Sequence, residues 1–218
     1  MNSKKIVTTS AASTPLFFDH IAIGAKSLGK GAAYIRECLE VEMPPGGQHP
    51  RMGTHNLLMS LGPASFLEVI AIDPSASNPT EPRWYNLDNF RGPPRILTWI
   101  VGTRSIQQEV AALDGLAGNV AEVSRGSLTW KISVPPDGSL PLDGAFPTLL
   151  QWPSGDHVAA RMSDCGCRLQ SLQVTHPNAG KITRWLGNRL EGECIKVADG
   201  PFKIQAEFKT THGIKTLT

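Results

Sequence analysis

Apolar and polar residues alternate with a period of two in Phe18-Asp19-His20-Ile21-Ala22-Ile23 and again in Phe66-Leu67-Glu68-Val69-Ile70, the pattern of half-buried β-strands. In the first run Ile21 and Ile23 share a face, which sends His20 to the other. In the second, Leu67 and Val69 share a face, which sends Glu68 away from them. Each strand thus carries, opposite its apolar face, one side chain able to ligate a metal or exchange a proton. Strands of this kind rest the apolar face on helices and line a cavity with the other.

Between these runs the period changes. Ser27 can cap a helix reaching about Leu39, with Leu28, Ala32, Ile35 and Leu39 on one stripe. Pro44-Pro45-Gly46-Gly47 breaks it, and residues 47–52 read as a loop. Thr54–Leu61 is a strand ending at the Gly62-Pro63 turn, which leads into the strand 66–72. Residues 73–95 form a long connector that carries Trp84 and Tyr85. The same order then returns: a strand at 96–101, a helix from Ser105 to Leu116, strands near 119–124 and 127–134, an insertion at 135–147 and a strand at 148–152. Superposing the two stretches places His20 on Thr98, Ile35 on Leu113 and Glu68 on Gln151. A third, weaker copy sets Ile21 on Leu172, Ile23 on Val174 and Leu39 on Leu190, with strands at 194–198, 202–209 and 212–217. The chain is predicted to be an α+β protein of βαβββ units at about 16–73, 95–153 and 167–217, preceded by a loose tail at 1–15.

Composition narrows the function classes. The net charge of +2 is spread over mixed signs with no basic run beyond Lys4-Lys5, which argues against a nucleic-acid partner. No window approaches the ~20 apolar residues of a membrane span. The first residues lack the apolar core of a secretory signal, so a cytoplasmic address and reduced thiols are expected. Cys165-Gly166-Cys167 lacks the spacing of a zinc or redox pair, and Cys38 falls on a helix as a small buried hydrophobe.

The Asp-His-Ile strand, the helix and the Phe-Leu-Glu-Val-Ile strand resemble the first unit of the vicinal oxygen chelate superfamily. The run from Gly46 through Gln48-His49-Pro50-Arg51-Met52-Gly53-Thr54-His55 to Asn56, followed by Leu67 to Pro74, is similar to the glyoxalase-like domain family. The resemblance implies curved mixed sheets with helices on the convex face and a divalent metal (Zn, Mn, Ni or Fe) on the concave one. Carried over by position, the metal ligands would be His20, Glu68 and Gln151, with Thr98 in place of a second histidine. His55 beside Glu68 is the candidate to fill that gap, and Glu68 and His55 are the candidate catalytic pair. His49 and His176 read as solvated loop residues. Asn56, Trp84 and Trp152 are the expected substrate contacts. The implied activity is that of a metal-assisted lyase, isomerase or hydrolase acting on a small substrate with adjacent oxygens, in a monomer or homodimer. The alternative is a metal-free protein that binds and sequesters a small molecule, in which His20 and Glu68 pair with each other inside an aromatic cup.

Overall fold

The computed structural model describes residues 14–218, so most of the expected tail, residues 1–13, lies outside the described residues. Two βαβββ units form one continuous sheet. The first is β1 (Leu16–Gly24), α1 (Leu28–Leu39), β2 (Pro45–His49), β3 (Thr54–Gly62) and β4 (Ser65–Ile72). The second is β5 (Arg95–Thr103), α2 (Ile106–Ala111), β6 (Asn119–Arg125), β7 (Leu128–Val134) and β8 (Thr148–Gln151). The strand order β2-β3-β4-β1-β5-β8-β7-β6 is palindromic in unit terms. Each unit runs outward from its first strand, and β1 and β5 meet antiparallel at the centre. The sheet is curved and nearly closed.

The two faces hold separate apolar clusters. Ile21, Ile23, Leu67, Val69, Trp99 and Val101 face the helices on the convex side. Ala22, Ile70, Ile100, Trp130, Ile132 and Leu150 line the concave side. α1 begins where the Ser27 hydroxyl accepts from the Lys30 N–H and buries Gly31, Ile35 and Leu39. α2 stops well before Leu116, since Asp114 and Gly115 adopt positive φ and turn the chain toward β6.

Residues 168–217 repeat the element order but not the pairing. β9 (Arg168–Thr175), α3 (Ala179–Leu186), β11 (Ile195–Ala198), β12 (Lys203–Thr210) and β13 (Gly213–Leu217) form a separate sheet ordered β11-β9-β12-β13, so the first strand lies inside it. The two-residue β10 (Leu190–Glu191) leaves that stretch and pairs with the start of β1. Leu172, Val174, Ile204, Ala206 and Phe208 pack into the convex-side cluster. This third part therefore covers the back of the main sheet and leaves the concave face to the first two.

Two segments read as irregular are built into that face. Residues 45–49 form an edge strand because β3 offers them a pairing partner, with Gln48 opposite His55 and His49 opposite Thr54. The connector 73–94 folds back instead of spanning. Arg83 pairs with Asp88 at 2.6 Å, and the Asn86 N–H donates to the Gly138 carbonyl at 2.7 Å. Tyr85 and Asn86 are held at positive φ, a costly conformation for non-glycine residues, and the turn lays Trp84 and Tyr85 over the concave face.

Candidate functional site

β1 is irregular where it matters most. The register against β5 shifts between Phe18 and His20, a β-bulge at Asp19. Bulges re-aim side chains beside functional sites. Here Asp19 joins His20 instead of alternating with it, and its carboxylate is fully buried. His20 Nδ1–H donates to Asp19 Oδ1 at 2.6 Å. Asp19 Oδ2 accepts from Trp152 Nε1–H at 2.7 Å and from His157 Nε2–H at 3.1 Å. The other imidazole nitrogen of His20 faces Glu68 Oε2 at 3.5 Å, and the ring stacks on Phe66 with centroids 4.2 Å apart.

Glu68 continues the chain of contacts. Its Oε1 accepts from Asn56 Nδ2–H at 2.7 Å, and the same amide group stands 3.4 Å from His49 Nε2. His49 Nδ1–H donates to Thr54 Oγ at 3.0 Å. Asn56 Oδ1 accepts from the Gly47 N–H at 2.8 Å and from the Arg125 guanidinium at 3.3 Å, which fixes the amide orientation. Gly46 permits this close approach. A Cβ there would overlap the Asn56 carbonyl and side-chain oxygen. Gly46→Ala is accordingly expected to lower stability by about 1–3 kcal/mol, as overpacking does, read as a reduced urea midpoint with an unchanged m-value.

Burial opposes charge on His20, but the hydrogen bond to Asp19 and then the contact with Glu68 outweigh it and push the imidazole up to about 9. Burial also opposes ionisation of both carboxylates, yet their histidine partners hold Asp19 and Glu68 below the usual range. His49 goes the other way. Burial dominates, Glu68 opposes it, and Arg125 adds to it, leaving His49 pushed down to about 4. At neutral pH the site is therefore a charged Asp19–His20–Glu68 triplet beside a neutral His49. Tyr85, buried near the two carboxylates, has its phenol pushed well above its ordinary value.

A cavity opens over Glu68, His20, His49 and Asn56, walled by Phe66, Trp84, Tyr85, Trp130, Trp152 and Leu150. Its free volume is about 30 Å³, room for about two waters. An outer vestibule of about 530 Å³ adjoins it and shares Leu58, Arg125, Leu128 and Val158 as the common wall.

Of the residues singled out in the sequence, His20, Glu68, Asn56, Trp84 and Trp152 line one cavity. His55 does not. Asn56 and Leu58 take the inward positions of β3, so His55 points outward, 4.0 Å from Asp73. Gln151 is also turned away, because Leu150 takes the inward position of β8, and its Oε1 accepts from the Ile106 N–H at 3.0 Å. His49, read as a solvated loop residue, is buried in the site, and His176 is buried as well. Asp19, Arg125 and His157 were not anticipated. The only sequence signal for Asp19 was its place beside His20.

The donor set does not fit a divalent cation held by the protein. Of the ligands expected from the resemblance, only His20 and Glu68 face each other, and Gln151 points away from them. Thr98 spends its hydroxyl on the Gly144 carbonyl at 3.1 Å. The second unit offers Ile132 and Leu150 to the cavity where further ligands would be required. Among the described residues, no three His, Cys, Asp or Glu side chains converge as metal ligands would.

The comparisons agree with this architecture. The family model of the glyoxalase-like domain matches residues 18–190. The chain belongs to the glyoxalase-like domain family. No curated protein matches. Among solved structures, a hypothetical protein from Staphylococcus aureus superposes with a TM-score of 0.58 at 14% identity, over 86% of this chain and 87% of that one. A Streptomyces coelicolor methylmalonyl-CoA epimerase variant in complex with 2-nitronate-propionyl-CoA gives a TM-score of 0.44 at 18% identity, over 65% of this chain and all of its own. The Mycobacterium tuberculosis epimerase gives 0.43 at 16%, over 67% and 95%. At 14% identity the likeness to the Staphylococcus aureus protein concerns the fold alone. Among the described residues of this glyoxalase-like protein, no helix is long and apolar enough to cross a membrane.

Proposed function

We propose that the protein is a metal-independent proton-transfer enzyme, of isomerase or lyase type, acting next to the carbonyl of a small organic molecule. The observation that carries this reading is the buried Asp19–His20–Glu68 triplet under an aromatic wall. Glu68 is held ionised and serves as the base that takes a proton from the carbon beside the carbonyl. The His20 to Glu68 contact is long, so Nε2–H can turn to the substrate oxygen and stabilise the charge developing there. Asp19 fixes the ring and keeps it cationic through Nδ1. Return of the proton to the same or a neighbouring carbon completes an isomerisation. The aromatic wall excludes water that would otherwise level these charges.

The test uses small ketones, hydroxyketones and oxo acids in deuterated water, with loss of the C–H signal followed by NMR. The wild-type protein, dialysed against chelator, is expected to catalyse exchange with at least one class, and Glu68→Gln to slow it about 10²–10⁴-fold. Elemental analysis of protein purified without chelator accompanies it. Near-stoichiometric Zn, Mn, Fe, Ni or Co that disappears in both His20→Ala and Glu68→Ala would overturn the metal-independent reading. Tight binding with no exchange in any class would instead identify a sequestering protein, the use that the small, largely aromatic cavity favours next.

A further inference from the structure

Two polar groups on the cavity wall are left without use by the proton-transfer machinery. Trp84 is 2% exposed, and its indole N–H has no acceptor among the described residues. A buried donor left unpaired costs about 1–3 kcal/mol, and such a group calls for a partner brought from outside. Arg125 is the second. It is half-buried on the wall shared by the inner cavity and the vestibule, and its hydrogen bond goes to the neutral Asn56. Among the described residues no carboxylate lies within ion-pair distance of its guanidinium. Its position is prepared by the fold. Gly47 leaves the space its side chain occupies, since a Cβ there would meet the Arg125 Cδ. The paired residues Arg125 and Leu128 flank the tight Gly126-Ser127 turn of the β6–β7 hairpin, so both sit at the mouth. Arg161 adds a second cation, exposed on the vestibule.

We infer that the ligand of this site is a small organic carboxylate, with its acid group on Arg125 at the mouth, an acceptor oxygen on Trp84 Nε1–H, and an aromatic or branched apolar body against the surrounding aromatic wall. This deepens the proton-transfer reading and rests on it for the inner end of the ligand. Electrostatics sets the direction of binding. The floor presents the Glu68 carboxylate beside His20, with the Asp19 carboxylate buried behind the ring, while the mouth carries the guanidinium. Arg recognises carboxylates in a planar, bidentate manner, which a lysine does not reproduce. One amide, that of Asn56, separates Arg125 from Glu68. The carbon deprotonated by Glu68 therefore lies only a few bonds from the acid group, as it does in a 2-oxo acid. Leu128 and Val158 must move aside for such a molecule, because the inner space alone holds about two waters.

The probes are phenylpyruvate and 4-methyl-2-oxopentanoate, each against its uncharged methyl ester, with binding followed by quenching of tryptophan fluorescence. The wild-type protein is expected to prefer each acid over its ester by tenfold or more. Arg125→Gln is expected to abolish that preference while leaving ester binding within twofold, and Arg125→Lys to restore it only in part. Equal binding of acid and ester by the wild type, binding of neither, or an undiminished preference in Arg125→Gln would overturn the assignment. Glu68→Gln separates this from the chemistry. Acid preference kept there, with no C–H exchange even in the wild type, would sink the enzymatic reading and leave the carboxylate site standing.

Discussion

His20→Ala is expected to destabilise the protein by about 3–5 kcal/mol, the usual cost of removing one partner from a buried ion pair. The imidazolium is 3% exposed and lies between two carboxylates that are themselves 0% and 5% exposed. Without it, Asp19 and Glu68 share a low-dielectric space with no cation between them, and both must rise in pKa or repel. The cost also depends on pH. The two carboxylates are held low, so their contribution is present above pH 4–5 and is lost as pH falls through their folded-state values. His20 is held high, so its contribution is complete below about pH 6.5 and is lost as pH rises through about 9. Wild-type stability from this triplet should therefore peak between about pH 5 and 6.5 and decline toward pH 9. Urea titrations from pH 4 to 10 read both effects. His20→Ala should lose the alkaline decline, whereas a parallel curve displaced by less than about 1 kcal/mol would mean that His20 is not charged in the folded protein.

Much of this arrangement was legible in the chain, and the parts that were not share a cause. The inward faces of His20 and Glu68 follow from alternation alone, because Ile21, Ile23, Leu67 and Val69 leave no other register for strands with one buried side. The doubling of the βαβββ unit follows from element order. Asp19 escaped because a bulge adds a residue without adding a hydrophobic signal, so simple alternation puts it on the wrong face. His49 escaped because Pro44-Pro45-Gly46-Gly47 has the local chemistry of a loop, and only pairing with β3 turns its far end into an edge strand. For His55, apolar residues on both faces of β3 left the register open, and the bond between Asn56 and Glu68 decides it. Gln151 stands on a four-residue strand too short to show its own period. The third stretch kept its element order but not its pairing, since pairing depends on which apolar faces remain uncovered once the main sheet has closed.

Asp19→Asn tests whether the bulge serves the chemistry or only the packing. The substitution keeps the shape and removes the charge, and it presents one amide N–H₂ group to three donors that now converge on a carboxylate: His20, Trp152 and His157. One of them must face another donor. The larger consequence falls on His20, because Asp19 supplies the stronger of the two interactions that hold it charged. The imidazole pKa is expected to fall from about 9 toward its ordinary 6.5, followed by the pH dependence of its ring nitrogen signals in NMR. At neutral pH part of the population would then lack the Nε2–H that steadies the substrate oxygen, and the ring would lose the partner that sets its tautomer and orientation. C–H exchange should slow about 10²–10⁴-fold. It should recover in part as the pH is lowered and His20 regains its proton, a response that a purely structural defect would not give. An unshifted His20 titration alongside reduced stability would place Asp19 among the packing residues. A shifted titration with undiminished exchange would remove His20 from the chemistry and leave Glu68 to act without it.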